Sequence, residues 1–120
     1  MYPEMTDEER KEVINNHYKA IIAYMGGNGF LAMIGAHLPL AYTYHSNDDT
    51  FILIIHFKAK ASNHSNVVSI TYKHVPDLYY MEFRRLYNYK LTVISKHEDL
   101  YADMLEATFN KETGLATRMF

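Results

Sequence analysis

The sequence predicts one α+β domain over residues 1–120, in which an antiparallel meander of about four to six strands lies between an N-terminal and a C-terminal helix. Helical periodicity marks the two ends of the chain, up to residue 25 and again from residue 99. Between them, short polar turns separate runs of β-branched and aromatic residues, as hairpin connections do. We expect both helices to pack on one face of the sheet and to leave the other face to solvent or a partner.

The first helix begins with a capping box. Thr6 precedes Glu9 by three residues, so the Thr6 hydroxyl can accept from the Glu9 backbone N–H while the Glu9 side chain reaches back. Apolar residues then recur at helical spacing: Ile14, Tyr18, Ile21, Ile22 and Met25. Gly26 and Gly27 are expected to end the helix, because glycine adopts the left-handed cap conformation without a steric cost.

The middle of the chain is predicted to form strands. Their expected ranges, in order, are residues 30–38, 40–45, 51–57, 67–74, 78–85 and 90–95. Pro39 separates the first two, and residues 51–57 are apolar on both faces, which favours a central position. Along residues 67–74, Val68, Ile70 and Tyr72 share one face, whereas the residues between them share the other. Polar turns are predicted at residues 46–49, 76–77 and 86–89.

The last helix is predicted to begin with Asp99 as its N-cap and to run to residue 110. Its apolar stripe consists of Leu100, Met104, Leu105 and Phe109. Gly114 is expected to cap the C-terminal end, with the apolar Leu115 packing back on the last turn.

The composition favours a soluble globular protein of a reducing compartment such as the cytoplasm. The chain has 120 residues, of which 48% are hydrophobic and 22% charged, and it contains no cysteine. Without cysteine there is no disulfide, thiolate metal site or thiol nucleophile. The acidic opening segment does not predict a signal peptide, and the longest apolar run, residues 51–55, is too short to span a bilayer.

Seven histidines raise the question of a metal or catalytic site. No HExxH pair and no Gly-x-Ser-x-Gly motif is present, and Asp48 next to Asp49 is typical of a turn. We therefore predict no enzyme, no metal and no cofactor. The alternative is a small metal- or ligand-binding enzyme using histidines, for which the candidate clusters are His45 with Asp48 or Asp49, and His97 with Glu98 and Asp99.

Tyrosine is the most unusual feature of the composition, with eleven residues, seven of them between Tyr42 and Tyr89. The same stretch is locally basic, since residues 50–97 carry seven Lys or Arg against two acids, although the whole chain has a net charge of −2. Aromatic rings beside Arg and Lys are typical of protein interfaces and of surfaces that stack bases and hold phosphates. Tyrosine also favours strands for packing reasons alone.

We expect these side chains to decorate the uncovered face of the sheet. The predicted binding residues are Tyr72, Lys73, Tyr79, Tyr80, Arg84, Arg85, Tyr87, Tyr89 and Lys90, with Lys58 and Lys60 as a secondary basic pair. The first hypothesis is a small non-catalytic module that binds a protein through this face, and a homodimer is one form of it. The alternative is a single-stranded nucleic-acid-binding protein that uses the same face.

Three segments carry a resemblance. Gly26-Gly-Asn-Gly-Phe-Leu-Ala-Met-Ile-Gly-Ala36, together with Tyr101-Ala-Asp-Met-Leu105 and Thr113-Gly-Leu115, is similar to a family of short proteins of bacteriophages, prophages and conjugative elements that has no established activity. The resemblance implies a mobile-element origin, the host cytoplasm as location and a host or phage protein as partner. The family often has basic residues where this chain has Gly29 and His37, which argues against a phosphate site at the glycine segment.

Overall fold

The computed structural model describes residues 4–118. Within them the elements are α1 (Asp7–Tyr24), α2 (Gly29–Ile34), β1 (Ala41–His45), β2 (Thr50–His56), β3 (Val67–Lys73), β4 (Leu78–Tyr87), β5 (Lys90–Leu100), a 3₁₀ helix (Ala102–Met104) and α3 (Leu105–Thr113). The strands pair antiparallel in sequence order, β1-β2-β3-β4-β5. The predicted α+β meander between two terminal helices is therefore confirmed. In this part of the chain, none of the helices combines the length and the apolar character that crossing a bilayer requires.

The start and the end of α1 are as the sequence predicts. The Glu9 backbone N–H donates to Thr6 Oγ1 at 3.1 Å, and the Thr6 N–H donates to Glu9 Oε1 at 3.2 Å, which completes the capping box. Gly26 and Gly27 follow the helix with φ angles of 124° and 89°, and these angles suit glycine alone. Local sequence thus fixes both boundaries of α1.

The core lies between one face of the sheet and the helices. We call this face the inner face and the opposite one the outer face. The inner face contributes Phe51, Leu53, Ile55, Val68, Ile70, Met81 and Phe83, and the helices contribute Ile21, Ile22, Met25, Phe30, Ile34, Leu105 and Phe109. Phe109 of α3 packs on Phe30 and Phe83, with ring centroids 5.4 and 6.0 Å apart. Burying each such side chain contributes roughly 1.5–3 kcal/mol, so this layer dominates the stability of the fold.

The strand predicted over residues 30–38 is wrong, because this segment forms the short helix α2. Phe30 and Ile34 are four residues apart, so helical geometry points both into the core, and both are fully buried. Gly35 then ends the helix in the left-handed conformation, with a φ of 66°. Only Ala36 keeps a trace of sheet pairing, as an isolated bridge to Phe57.

The predicted start of the last helix at Asp99 is also wrong. β5 continues to Leu100, which is buried opposite Tyr79, and α3 begins only at Leu105 after the 3₁₀ turn. Asp99 has a φ of 56°, whereas an N-cap residue is extended. The turn predicted over residues 86–89 is shorter than expected, because β4 runs to Tyr87. The predicted Gly114 cap is confirmed, with a φ of 70°.

Candidate functional site

The outer face curves into a cleft of about 350 Å³. Among the described residues, every one that lines it belongs to a strand, from Thr43 on β1 to Lys96 on β5. Because β1 and β5 are the opposite edges of the sheet, a single cleft can reach both only if the sheet is strongly curled. Two bulges in the β4–β5 pairing increase the local twist. The outer face is thus a concave surface that the helices leave uncovered.

The cleft has an apolar floor and a charged wall. Ile52 and Ile54 of β2 alternate toward the outer face, beside the hydroxyls of Thr71 and its neighbours on β3. On the wall, Arg84 Nη2 donates to Glu82 Oε2, and Lys96 Nζ lies 3.7 Å from the other oxygen of this carboxylate. Glu98 also lines the cleft, so two carboxylates balance the two cations. The apolar floor beside them is free to pack against apolar groups.

The β4–β5 hairpin, residues 85–94, extends this surface. Arg84 pairs with Val93, and Leu86 with Leu91, so these side chains share the outer face with Glu82 and Lys96. Leu86, Leu91 and Val93 are all exposed. Three large apolar side chains therefore continue the outer face beyond the cleft. Exposing them together does not stabilise a monomer, and such a patch is typical of an interaction surface.

The turn of this hairpin is strained. Asn88 and Tyr89 have φ angles of 51° and 62°, the pattern of a type I′ turn, which normally carries Gly at its second central position. Tyr89 occupies that position and is fully exposed. Packing within the chain therefore does not account for the tyrosine, and strain kept without a packing reason is a feature of binding sites.

The structure divides the predicted binding residues among separate places. Lys73, Tyr80 and Arg84 lie on the outer face, where Lys73 Nζ is 4.8 Å from the Tyr80 ring centroid. Arg85, Tyr87 and Lys90 lie on the other side of the hairpin, around one cleft. Lys58 and Lys60 line a neighbouring cleft with Arg85. The single continuous face expected from the sequence is thus two surfaces joined by one hairpin.

The assignment of Tyr72 and Tyr79 to the uncovered face is wrong. They pair with each other on the inner face, where their ring centroids are 5.0 Å apart. Tyr79 is only 8% exposed and packs on Tyr24 of α1, and this burial raises its pKa to about 12. The cause is strand alternation, because Tyr72 belongs to the same set as the core residues Val68 and Ile70.

A second polar cluster, which the sequence did not predict, ties α1 to the β1–β2 turn. Asp49 Oδ1 accepts from the Tyr44 hydroxyl at 2.8 Å and from His17 Nε2 at 2.9 Å, while His74 Nδ1 lies 3.8 Å from Oδ2. The His17 ring stacks on Phe51 with centroids 5.4 Å apart. These residues are far apart in the chain, so no local motif could reveal the cluster.

Hydrogen bonding sets the protonation of this cluster. Burial alone would raise the pKa of Asp49, but hydrogen bonds from His17 and Tyr44 outweigh it and hold that pKa below its ordinary value. Burial, followed by the hydrogen bond to Asp49, raises the pKa of Tyr44 to about 12. Asp49 is therefore a carboxylate that clamps a helix to a turn, and Tyr44 stays protonated as its donor.

The histidine pairs proposed from the sequence are replaced by others. Asp49 binds His17, and His97 Nε2 lies 2.6 Å from Glu112 Oε1 of α3. Between residues 4 and 118, no three His, Asp or Glu side chains converge closely enough to hold a metal ion. His17 links α1 to the β1–β2 turn, and His97 links β5 to α3.

Comparison with known proteins leaves the outer face as the main guide to function. No family model, no curated protein and no solved structure matches this chain. The similarity to phage and conjugative-element proteins therefore stays a prediction.

Proposed function

We propose that this protein is a small binding module that docks a protein partner on the outer face of its sheet, with the β4–β5 hairpin as part of the contact. The observation that carries the proposal is the continuity of the cleft with Leu86, Leu91 and Val93. A host or phage protein is the partner that the resemblance implies. Its function would then be to bind and not to catalyse.

The chemistry of the outer face fits a protein interface. Interfaces combine an apolar centre with a polar rim, and Tyr and Arg are enriched among their strongest contacts. Here Ile52 and Ile54 supply apolar area, Tyr80 and Arg84 lie beside them, and Lys96 stands at the rim. A partner with an apolar surface flanked by charged groups of both signs would complement both the floor and the wall, on which Glu82 and Glu98 stand beside Arg84 and Lys96.

The side chains are a better docking surface than the backbone edge of β5. Bulges and lysines on an edge strand oppose pairing with another strand, and β5 has two register shifts together with Lys90 and Lys96. We therefore expect the partner to contact the outer face itself. A second copy that binds in the same way would give a homodimer through this face.

Site-specific photo-crosslinking tests the proposal. Benzoylphenylalanine placed at Tyr80 or Val93 should form a covalent adduct of discrete mass in cells of the organism that encodes the protein. Tyr24 on α1 is a matched control, because it is 44% exposed against 48% for Val93 but lies on the helical side. Adducts at Tyr24 as strong as those at Val93, or none at Tyr80 and Val93, would overturn the proposal. An adduct at twice the 14.0 kDa mass of the chain would identify a second copy as the partner.

A triple variant checks the role of the hairpin. Leu86→Thr, Leu91→Thr and Val93→Thr keep strand propensity and remove exposed apolar area. We expect partner affinity to fall at least about tenfold, while the free energy of unfolding changes by less than about 1 kcal/mol, since surface substitutions have small effects. Adduct yield at Tyr80 and urea unfolding measure the two quantities. An unchanged yield would exclude the hairpin from the interface.

A further inference from the structure

We infer that the side of the β4–β5 hairpin opposite the outer face is a separate binding site for single-stranded nucleic acid. Two adjoining clefts form it, of about 550 and 830 Å³. His64 and Arg85 line both clefts and so join them into one surface, which we call the basic trough. Its cations are Lys58, Lys60, Arg85 and Lys90.

The charge of the trough is of one sign. Among residues 4–118, no Asp or Glu lines either cleft, although the whole chain has a net charge of −2. Glu112 stands at one end, where Asn63 Nδ2 donates to it at 3.1 Å and His97 Nε2 lies 2.6 Å from its other oxygen, so its charge acts on that end alone. A surface whose own lining is of one sign attracts polyanions even on an acidic protein.

The positions of the cations follow from the fold. Arg85 and Tyr87 project to the same side of β4, and Tyr87 pairs directly with Lys90, so the three side chains lie together. Arg85 Nη1 donates to the His64 backbone oxygen at 3.3 Å, which fixes the loop of residues 58–66 beside the hairpin. That loop supplies Lys58 and Lys60. Strand alternation therefore separates the trough from the apolar outer face of the same hairpin.

Exposed aromatic rings favour a nucleic acid over an acidic peptide as the ligand of the trough. An acidic peptide needs only the cations, whereas unpaired bases also stack on exposed rings. Tyr87 is exposed within the trough, with the Arg85 guanidinium 6.0 Å from its ring centroid, and the strained Tyr89 projects from the tip. Bases already stacked in a duplex offer no free faces to these rings. The arrangement favours a single strand over both a duplex and an acidic peptide.

Fluorescence anisotropy with a labelled oligothymidine of about 20 nucleotides tests the inference, with the full chain as the binding protein. Four phosphate contacts predict a slope of about −3 in log affinity against log salt, or about a fiftyfold loss between about 50 and 200 mM salt. Lys90→Gln should reduce the slope by about 0.7. Tyr87→Leu should weaken binding about fivefold or more without changing the slope, because stacking releases no counterions.

A control variant distinguishes binding at the trough from attraction to any surface cation. Lys73→Gln removes one cation from the outer face and should leave nucleic-acid binding unchanged. Absence of binding at low salt, or equal weakening by Lys73→Gln and Lys90→Gln, would overturn the inference. So would displacement by polyglutamate together with full affinity of Tyr87→Leu, which would identify an acidic polypeptide instead. Equal affinity for the matching duplex would contradict the role of unpaired bases. The triple variant Leu86→Thr, Leu91→Thr, Val93→Thr changes no residue that lines the trough. It should therefore lose protein docking and keep nucleic-acid binding, which makes failure of one proposal distinguishable from failure of the other.

Discussion

Gly26→Ala is expected to lower the free energy of unfolding by about 3 kcal/mol, through backbone strain and overpacking together. A Cβ at this position would lie 2.7 Å from Glu106 Oε2 and 3.0 Å from the Thr117 backbone oxygen. The carboxylate cannot move freely, because Thr117 Oγ1 donates to it at 2.6 Å and Arg118 Nε at 2.8 Å. Urea unfolding of the variant measures the loss.

Gly27→Ala is the matched control for this prediction. Gly27 also has a positive φ, of 89°, but a Cβ there would meet nothing within 4 Å. We expect a loss of only about 1–2 kcal/mol from the left-handed conformation. If both variants lost the same free energy of unfolding, the contact of Glu106 and Thr117 with Gly26 would not be the reason that position 26 requires glycine.

Asp49→Asn is expected to cost about 1–3 kcal/mol at neutral pH, because two charge-assisted hydrogen bonds become neutral ones. Asparagine tolerates the φ of 50° at this position, so the variant changes charge and not backbone strain. The folded-state pKa of Asp49 lies below the ordinary value of 3.8. The contribution of the carboxylate is therefore complete above that value, and it disappears as the pH falls through the folded-state pKa. Denaturation at neutral pH and at a series of pH values down to about 2 measures the difference.

Asp77→Asn serves as the control for Asp49. Asp77 has a similar φ of 67° in the β3–β4 turn and accepts from the Tyr72 hydroxyl at 2.6 Å, but it is exposed. We expect its substitution to cost less than about 1 kcal/mol. If Asp49→Asn were as stable as the unchanged protein at every pH, the clamp between α1 and the turn would contribute nothing.

Local signals predicted those parts of the fold that local physics decides. The capping box at Thr6, the glycines after α1 and the shared face of the alternate residues of β3 each depend on neighbouring residues, and each prediction agrees with the structure. The strand predicted over residues 30–38 was wrong because a short apolar run fits a strand and a helix equally well. The segment is helical because only helical spacing places both Phe30 and Ile34 in the core.

The sequence indicated which residue types the candidate site contains, but not which face of the sheet each residue occupies. Tyr80 and Arg84 lie on the outer face as expected, whereas Tyr72 and Tyr79 lie beneath α1. The alternation of side chains along a strand places Tyr80 and Arg84 on one face and Tyr72 and Tyr79 on the other, but it does not predict which of the two faces the helices cover. Ile52 and Ile54 went unnoticed because a strand that is apolar on both faces suggests a fully covered position. The curl of the sheet, which depends on the bulges in β5, leaves them in an uncovered cleft.

The first of the segments that carry the family resemblance packs on residues that lie between and after the other two. Gly26 approaches Glu106 and Thr117, and Phe30 packs on Phe109. The first segment thus closes on the C-terminal part of the chain. These contacts support an architectural role for Gly26 and Phe30, while the proposed binding surfaces lie on strands and loops outside all three segments.

The proposed docking surface depends on an outer face of the sheet that the helices leave uncovered, and the absence of cysteine allows a direct measurement of its exposure. Thr71→Cys and Ile70→Cys place single thiols on adjacent residues of β3, the first in the outer cleft and the second in the core. Under native conditions, we predict that the thiol at position 71, which is half-buried in the cleft, reacts with a maleimide in the folded protein, and that the thiol at position 70 reacts only on unfolding. Protection of both thiols alike would show that the outer face is covered in the isolated protein and would exclude it as a docking surface.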